Sequence, residues 1–330
     1  MNRKPFMRWG RFYNNSDDRI ARRLSNFVKT LYIVAKHRFA LRSQPKLIQS
    51  DFIAEWMVAP AITHSSVEPV ITWIGHATFL IQIGGLNILT DPVFFDVSRF
   101  FKRKVRSALS IHQLPKIDII LISHNHCDHL DLPSLSFLKK DNPTILVPLG
   151  NKRWLQQRGF DTVQEMEWGQ EIIINNVLVC TFLPAHHWTS RGLFDINTTL
   201  WGSWLIRDKG TKIYFAGDSA YGDHFAVIGK SFGPIDIILM PIGPNEPRHL
   251  MNESHVGIDE AIQAFDDLDG HHFIPMHWGT FRSGVDNFHD LVNLLTVAWR
   301  TYVEKKSQCA LHIMKFGQSA TFEHLKKGSD

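Results

Sequence analysis

The chain has 330 residues, enough for one large domain or two small ones, and its 44% hydrophobic and 21% charged residues are those of an ordinary globular protein. No apolar run approaches the roughly 18 residues needed to span a bilayer, and Cys127, Cys180 and Cys309 are too few and too scattered for a disulfide framework, so a reducing compartment is the default. The net charge of +4 is unevenly placed: residues 1–50 hold 12 Lys and Arg against Asp17 and Asp18, a charge of +10, while the other 280 hold 24 basic and 30 acidic residues, a charge of −6. That negative remainder argues against a long surface tracking nucleic-acid phosphates.

In chain order, Ser16-Asp17-Asp18 reads as a helix start with acids in its first turn. Ile20, Leu24, Phe27, Val28, Leu31 and Val34 then recur at helical spacing, punctuated by Arg19, Arg22, Arg23 and Lys29. Residues 1–60 are therefore expected to form a basic amphipathic segment, either packed on the main domain or lying on an anionic membrane surface. No clean signal peptide is present; Arg22-Arg23 before an apolar stretch is only a faint twin-arginine pattern, broken by Lys29 and Lys36. Residues 61–330 are expected to be the catalytic domain.

Strand patterns dominate from Val70 onward, at 70–83, 86–90, 117–123, 144–147, 171–182, 202–207, 212–216, 235–240, 272–276 and 311–316. Helical patterns fall at 133–140, 152–157, 259–268 and 287–305. Breaks carry turn residues such as Gly84-Gly85, Asp208-Lys209-Gly210 and Gly233-Pro234. Strand runs with interspersed helices predict a layered sheet core with helices outside.

The segment SHNHCDHLD, Ser123 to Asp131, concentrates chemistry. His124, His126, Asp128 and His129 follow the apolar run 117–122 in the pattern HxHxDH. A buried strand that ends in three imidazoles and a carboxylate delivers them to one point, which suits zinc or a similar borderline metal. More donors lie just past later apolar runs: His186-His187 after Pro184, Asp218 in AGDS, and His277 in PMHWGTF. Each is weak singly. Together with HxHxDH they give seven donors on four strand ends, about the number two zinc ions need while leaving room for water.

In this order the donors resemble the metal-binding series of the metallo-β-lactamase superfamily. The segments WIGHATFLI, LTDPVF, LISHNHCDHLD, HHWTSRG, LWGSWLI, FAGDSAYGDHF, PIGPNEPR, HVGIDEA and HWGTF are more specifically similar to the N-acylphosphatidylethanolamine-hydrolysing phospholipase D family. The resemblance implies a four-layer αβ/βα sandwich over about residues 70–316. It also implies a zinc phosphodiesterase with two Zn2+ per chain that releases N-acylethanolamine and phosphatidic acid. Carried over by residue, His124, His126 and His187 bind one zinc, Asp128, His129 and His277 the other, and Asp218 bridges them. His187 is chosen over His186 because it stands directly before Trp188. Asp91, in LTDP, accepts a proton from a ligand imidazole and fixes its orientation. His255 lines the pocket, hydrogen-bonding a phosphoryl oxygen or protonating the leaving group. Asp128 also orients the attacking water and takes its proton, while Cys127 has no donor role.

A lipid substrate requires a route onto the membrane. Phe94, Phe95, Phe100 and Phe101, interleaved with Arg99, Lys102, Arg103, Lys104 and Arg106, suit a headgroup interface if their rings are exposed. The expected setting is cytoplasmic, at the inner membrane face, with a phospholipid substrate, an anionic membrane surface and no nucleic-acid partner; a homodimer is compatible with this reading. Two alternatives stand: a soluble metal-dependent hydrolase of a small phosphorylated metabolite or lactone, and a nuclease of the same fold. Because every proposed ligand lies after Val70, the first 45 residues are expected to be dispensable for metal binding.

Overall fold

The structure, a computed structural model, describes residues 4–14, 28, 29, 32 and 47–322, the last span without 177, 193, 209, 305 and 307. Most of the amphipathic stretch expected over residues 16–34 lies outside the described residues. The chain opens with a hairpin, β1 (Phe6–Arg8) and β2 (Arg11–Tyr13). Its turn residues Trp9 and Gly10 both have positive φ, 51° and 69°, as the tight two-residue turns of such hairpins require. A helix, α1 (Leu47–Trp56), precedes the sheets.

The first sheet contains β3 (Val70–Gly75), β4 (Thr78–Ile83), β5 (Leu86–Thr90), β6 (Ile119–Leu121), β7 (Thr144–Pro148) and β8 (Val163–Met166), with α2 (Leu132–Leu138) and α3 (Lys152–Gln156) in its connections. The second contains β9 (Glu171–Ile174), β10 (Leu178–Leu183), β11 (Ser203–Arg207), β12 (Lys212–Phe215), β13 (Ile235–Pro241), β14 (Gly270–Met276) and β15 (Ala310–Leu311). Its helices are α4 (His224–Phe232), α5 (Arg248–Met251), α6 (Ile258–Asp267) and α7 (Phe288–Val303). The last strand, β16 (Ser319–Thr321), returns to the first sheet beside β3.

The strand orders are β16-β3-β4-β5-β6-β7-β8 and β15-β14-β13-β12-β11-β10-β9. Each sheet begins with antiparallel meanders and continues in parallel strands from β5 and from β12. Side-chain alternation sorts the layers. Ile119, Leu121 and Leu146 point into the space between the sheets, where they share one core with Phe182, Trp204 and Phe215 of the second sheet. Ile120, Ile145 and Val147 point the other way, against Leu135 and Leu138 of α2 and Leu155 of α3. On the far side Phe265 of α6 and Trp299 of α7 pack on Phe273 of β14, with ring centroids 5.3 and 5.6 Å away. The result is the four-layer αβ/βα sandwich.

Two expected strands are each a hairpin. The pattern over 70–83 breaks at Gly75 and His76, whose φ values of 133° and 56° turn the chain between β3 and β4. Asn175 and Asn176, both near φ 50–55°, do the same between β9 and β10. The first turn is hidden because β3 and β4 are buried on both faces, so no alternation marks it. Among the described residues, no helix is long and apolar enough to cross a membrane.

Candidate metal centre

The carboxyl ends of the parallel strands carry the polar residues. Past β6, Ile122 still pairs with Leu146, its N–H donating at 3.0 Å, and the chain then leaves the sheet as the loop 123–131. Asp131 ends that loop by capping α2, its Oδ2 accepting from the Ser134 N–H at 3.0 Å. Inside, His129 and Leu130 donate back to the His126 carbonyl, and the Arg191 guanidinium bonds the Asn125 and Leu130 carbonyls at 2.9 and 2.7 Å. The motif is therefore pinned at both ends and along its back.

Two donor groups face each other across Asp218, and a third set, Asp91, His124 and His129, also has its donor atoms within 4.8 Å of one another. Nitrogens of His124, His126 and His187 lie within 4.8 Å of one another. The Nδ1 of His126 is 2.9 Å from Nε2 of His124 and 3.3 Å from Nε2 of His187. Beside them His76, Asp128, His129 and His277 form a second group within the same limit. The Asp218 carboxylate, beyond β12, stands between the groups: Oδ2 is 4.0 Å from His124 Nε2, 3.8 Å from His187 Nε2 and 3.3 Å from His129 Nε2, and Oδ1 is 3.2 Å from His277 Nε2. His129 Nε2, His277 Nε2 and Asp218 Oδ1 are buried without a well-formed hydrogen bond. Buried polar atoms normally find partners. Imidazole nitrogens and carboxylate oxygens that converge on common points without partners fit metal ions.

Comparison with known proteins gives this chain a family. A family described as Beta-lactamase superfamily domain matches residues 86–278. The N-acyl-phosphatidylethanolamine-hydrolyzing phospholipase D 1 of Caenorhabditis elegans is 33% identical over 282 residues, 81% of this chain and 79% of that protein. The chain belongs to the N-acylphosphatidylethanolamine-hydrolysing phospholipase D-like family of the metallo-β-lactamase superfamily. The mitochondrial N-acyl-phosphatidylethanolamine-hydrolyzing phospholipase D of Saccharomyces cerevisiae is 37% identical over 221 residues, 64% of this chain but only 47% of the yeast protein. Among solved structures, a metallo hydrolase from the archaeon Ignicoccus hospitalis shares the fold, with a TM-score of 0.60 at 20% identity over 77% of this chain and 98% of that one. The chain is accordingly a metal-binding hydrolase of the metallo-β-lactamase fold.

Hydrogen bonds behind the donors set their tautomers. In this family member Asp91 Oδ2 accepts from His129 Nδ1 at 2.7 Å and from the Ser123 hydroxyl at 2.5 Å, and Oδ1 accepts from the Ser123 N–H at 2.7 Å. Having donated its only proton, Ser123 Oγ accepts from His124 Nδ1 at 2.9 Å. One carboxylate thus turns the Nε2 atoms of two histidines inward. His187 Nδ1 donates to the Ser254 carbonyl at 2.9 Å, with the same effect.

Burial, reinforced by neighbouring imidazoles, holds His124 and His187 well below the ordinary 6.5 and brings His126 to about 4, so their lone pairs are available. At His129 burial acts downward too, but Asp218 and Asp91 outweigh it and hold a positive charge there, a charge that a metal ion can replace. Burial alone would raise Asp218 and Asp128. The surrounding histidines prevail: His129 and His277 keep Asp218 ionised, and His76 and His129 keep Asp128 ionised.

His255, its side chain 14% exposed, has its Nδ1 3.8 Å from Asp218 Oδ2 and its ring 5.3 Å from that of His187. Burial lowers it to about 4, so the imidazole is neutral near pH 7. His186 and Cys127 are in neither donor group. Sequence reasoning missed His76. Its Nε2 is 3.3 Å from Asp128 Oδ2, and its ring lies 3.9 Å from that of His277. The available signal was a histidine beside Gly75 within an otherwise apolar run. Ser123 and Ser254 were missed as well, and neither carries a signal of its own. The Phe/Arg loop divides: Phe94 is buried and Phe101 stacks on Phe281, whereas Phe95 and Phe100 are exposed.

Proposed function

We propose that the chain is a dinuclear zinc phosphodiesterase of phospholipase D type, cleaving N-acylphosphatidylethanolamine to N-acylethanolamine and phosphatidic acid at an anionic membrane surface. The observation that carries this reading is the position of Asp218 between the two donor groups, within reach of His124, His187, His129 and His277. In this reading His124, His126 and His187 hold one ion, Asp128, His129 and His277 the other, and Asp218 contributes to both. Ions held there would supply a water of lowered pKa and neutralise charge on the phosphoryl oxygens. Asp128, ionised and with His76 Nε2 3.3 Å from its Oδ2, would orient that water and accept its proton as the oxygen attacks phosphorus. The bond from phosphorus to the ethanolamine oxygen breaks, and the proton held by Asp128 is available to the departing oxygen. His255, neutral near pH 7 and 3.8 Å from Asp218 Oδ2, would donate a hydrogen bond to a phosphoryl oxygen.

The surface supports a lipid substrate. Trp9, Phe194 and Phe100 are 80%, 89% and 77% exposed. Arg8 lies 4.0 Å over the Trp9 ring, and Arg99 lies 5.0 Å over Phe100. An exposed ring beside a guanidinium suits the boundary between headgroups and acyl chains.

The test is incubation of the full chain with vesicles containing N-acylphosphatidylethanolamine and an anionic lipid, with mass spectrometry of the products. N-acylethanolamine and phosphatidic acid in equal amounts are expected. Hydrolysis of sugar-phosphate lactones or of oligonucleotides, with the lipid left intact, would overturn the reading in favour of a soluble hydrolase or a nuclease.

A further inference from the structure

We propose that Asn14 is a positioning residue of the metal centre, clamping the backbone of His187 from the N-terminal hairpin. The Asn14 Nδ2 donates to the His187 carbonyl at 3.0 Å, and its Oδ1 accepts from the His187 N–H at 3.1 Å. One carboxamide thus satisfies both backbone groups of one residue, as a neighbouring strand would. The Trp201 indole N–H also donates to Asn14 Oδ1, at 3.1 Å, and to the Ala185 carbonyl at 3.1 Å, tying the clamp to both ends of the loop 185–201.

The hairpin is fastened along the same loop. The Phe12 N–H donates to the Asn197 carbonyl at 2.8 Å, and Asn197 Nδ2 returns a bond to the Phe12 carbonyl at 2.9 Å. The Arg11 guanidinium bonds the carbonyls of Ile196 and Phe194. Phe12 and Tyr13 are buried. His187 therefore has its ring fixed by Ser254 and its main chain fixed by Asn14, 173 residues away in sequence. The chemistry selects asparagine, because the clamp needs one donor and one acceptor on a planar fork; aspartate keeps only the acceptor and alanine keeps neither. On this proposal, removing the first 45 residues would take the clamp with it and weaken metal binding, contrary to the expectation from ligand positions alone.

The inference rests on the dinuclear reading, and holoprotein challenged with graded chelator separates the two. Metal per chain is counted by elemental analysis for the wild type, Asn14→Ala and Asn14→Asp. Loss of a hydrogen bond behind a metal ligand typically weakens binding about 10–100-fold. One equivalent should therefore leave Asn14→Ala at roughly tenfold lower chelator or less, with the other released as in the wild type and Asn14→Asp intermediate. In cobalt-loaded protein the same selective loss should appear in the visible absorption spectrum. If Asn14→Ala does not fold, Asn14→Asp carries the test. Release of both ions at wild-type chelator concentrations overturns the clamp, and so does equal weakening of both ions alongside a lower Tm. If the wild-type chain holds a single ion, the dinuclear reading fails, and the clamp stands only if that ion still leaves the variants earlier.

Discussion

The two sheets contribute to the site in different ways. The first sheet delivers His124, His126, Asp128 and His129 from a single loop, capped by Asp131 and braced by Arg191. The second delivers His187, Asp218 and His277 from three separate loops, each held by contacts distant in sequence. A compact loop fixes the mutual spacing of its donors locally. The dispersed set depends on the packing of the two sheets, as where Trp204 of β11 donates to the Ile122 carbonyl at 2.9 Å and the Gly202 N–H to the Ser123 carbonyl at 3.0 Å. The lesson is that one half of the centre is encoded by spacing and the other by tertiary structure.

Asp218 is where the two halves meet, so its removal should have the largest effect. Asp218→Ala is expected to lower kcat/KM by about a thousandfold or more and to release metal, because on the proposed reading Asp218 would touch both ions and position the attacking water. Activity within tenfold of wild type would break the comparison at its centre. Asp91→Ala should come next. That carboxylate orients His129 directly and His124 through Ser123, so metal affinity should drop about 10–100-fold in a chelator titration. His76→Ala should lower kcat by roughly tenfold at nearly unchanged metal content, with partial rescue in His76→Gln, because His76 Nε2 stands 3.3 Å from Asp128 Oδ2 and helps fix that carboxylate. Loss of metal equal to that in Asp91→Ala would instead make His76 part of the binding set.

A smaller effect lies away from the site and concerns stability with pH. His272 Nδ1 and His312 Nε2 are 2.9 Å apart, and burial, aided by His312, lowers His272 to about 4, while burial also lowers His312. Between the unfolded value of 6.5 and those lowered values the unfolded chain binds more protons, so stability is present at higher pH and lost as pH falls through that window. Thermal midpoints measured from pH 7 to 4 should drop, and His312→Gln should flatten the slope. The smallest effect should be that of Cys127→Ser, expected within about twofold of wild-type activity because Cys127 lies outside both donor groups.

What was legible follows the same division. HxHxDH, Asp218 and His277 each stand directly past an apolar run, and strand ends are where local pattern and function coincide. His76 was hidden because β3 and β4 are buried on both faces, so no alternation marked the turn between them. Asn14 was hidden because its partner is 173 residues away. Helix α4 escaped notice because Gly229 lies inside it; there a Cβ would come within 1.9 Å of the Asp267 carbonyl oxygen, so the glycine serves the close approach to the end of α6.

The most direct test of the shared-bridge account is an anomalous difference map from a crystal of protein purified without chelator. The account predicts two metal peaks per chain, one among His124, His126 and His187, one among Asp128, His129 and His277, with Asp218 in contact with both. A single peak, or two peaks that Asp218 does not join, would contradict it.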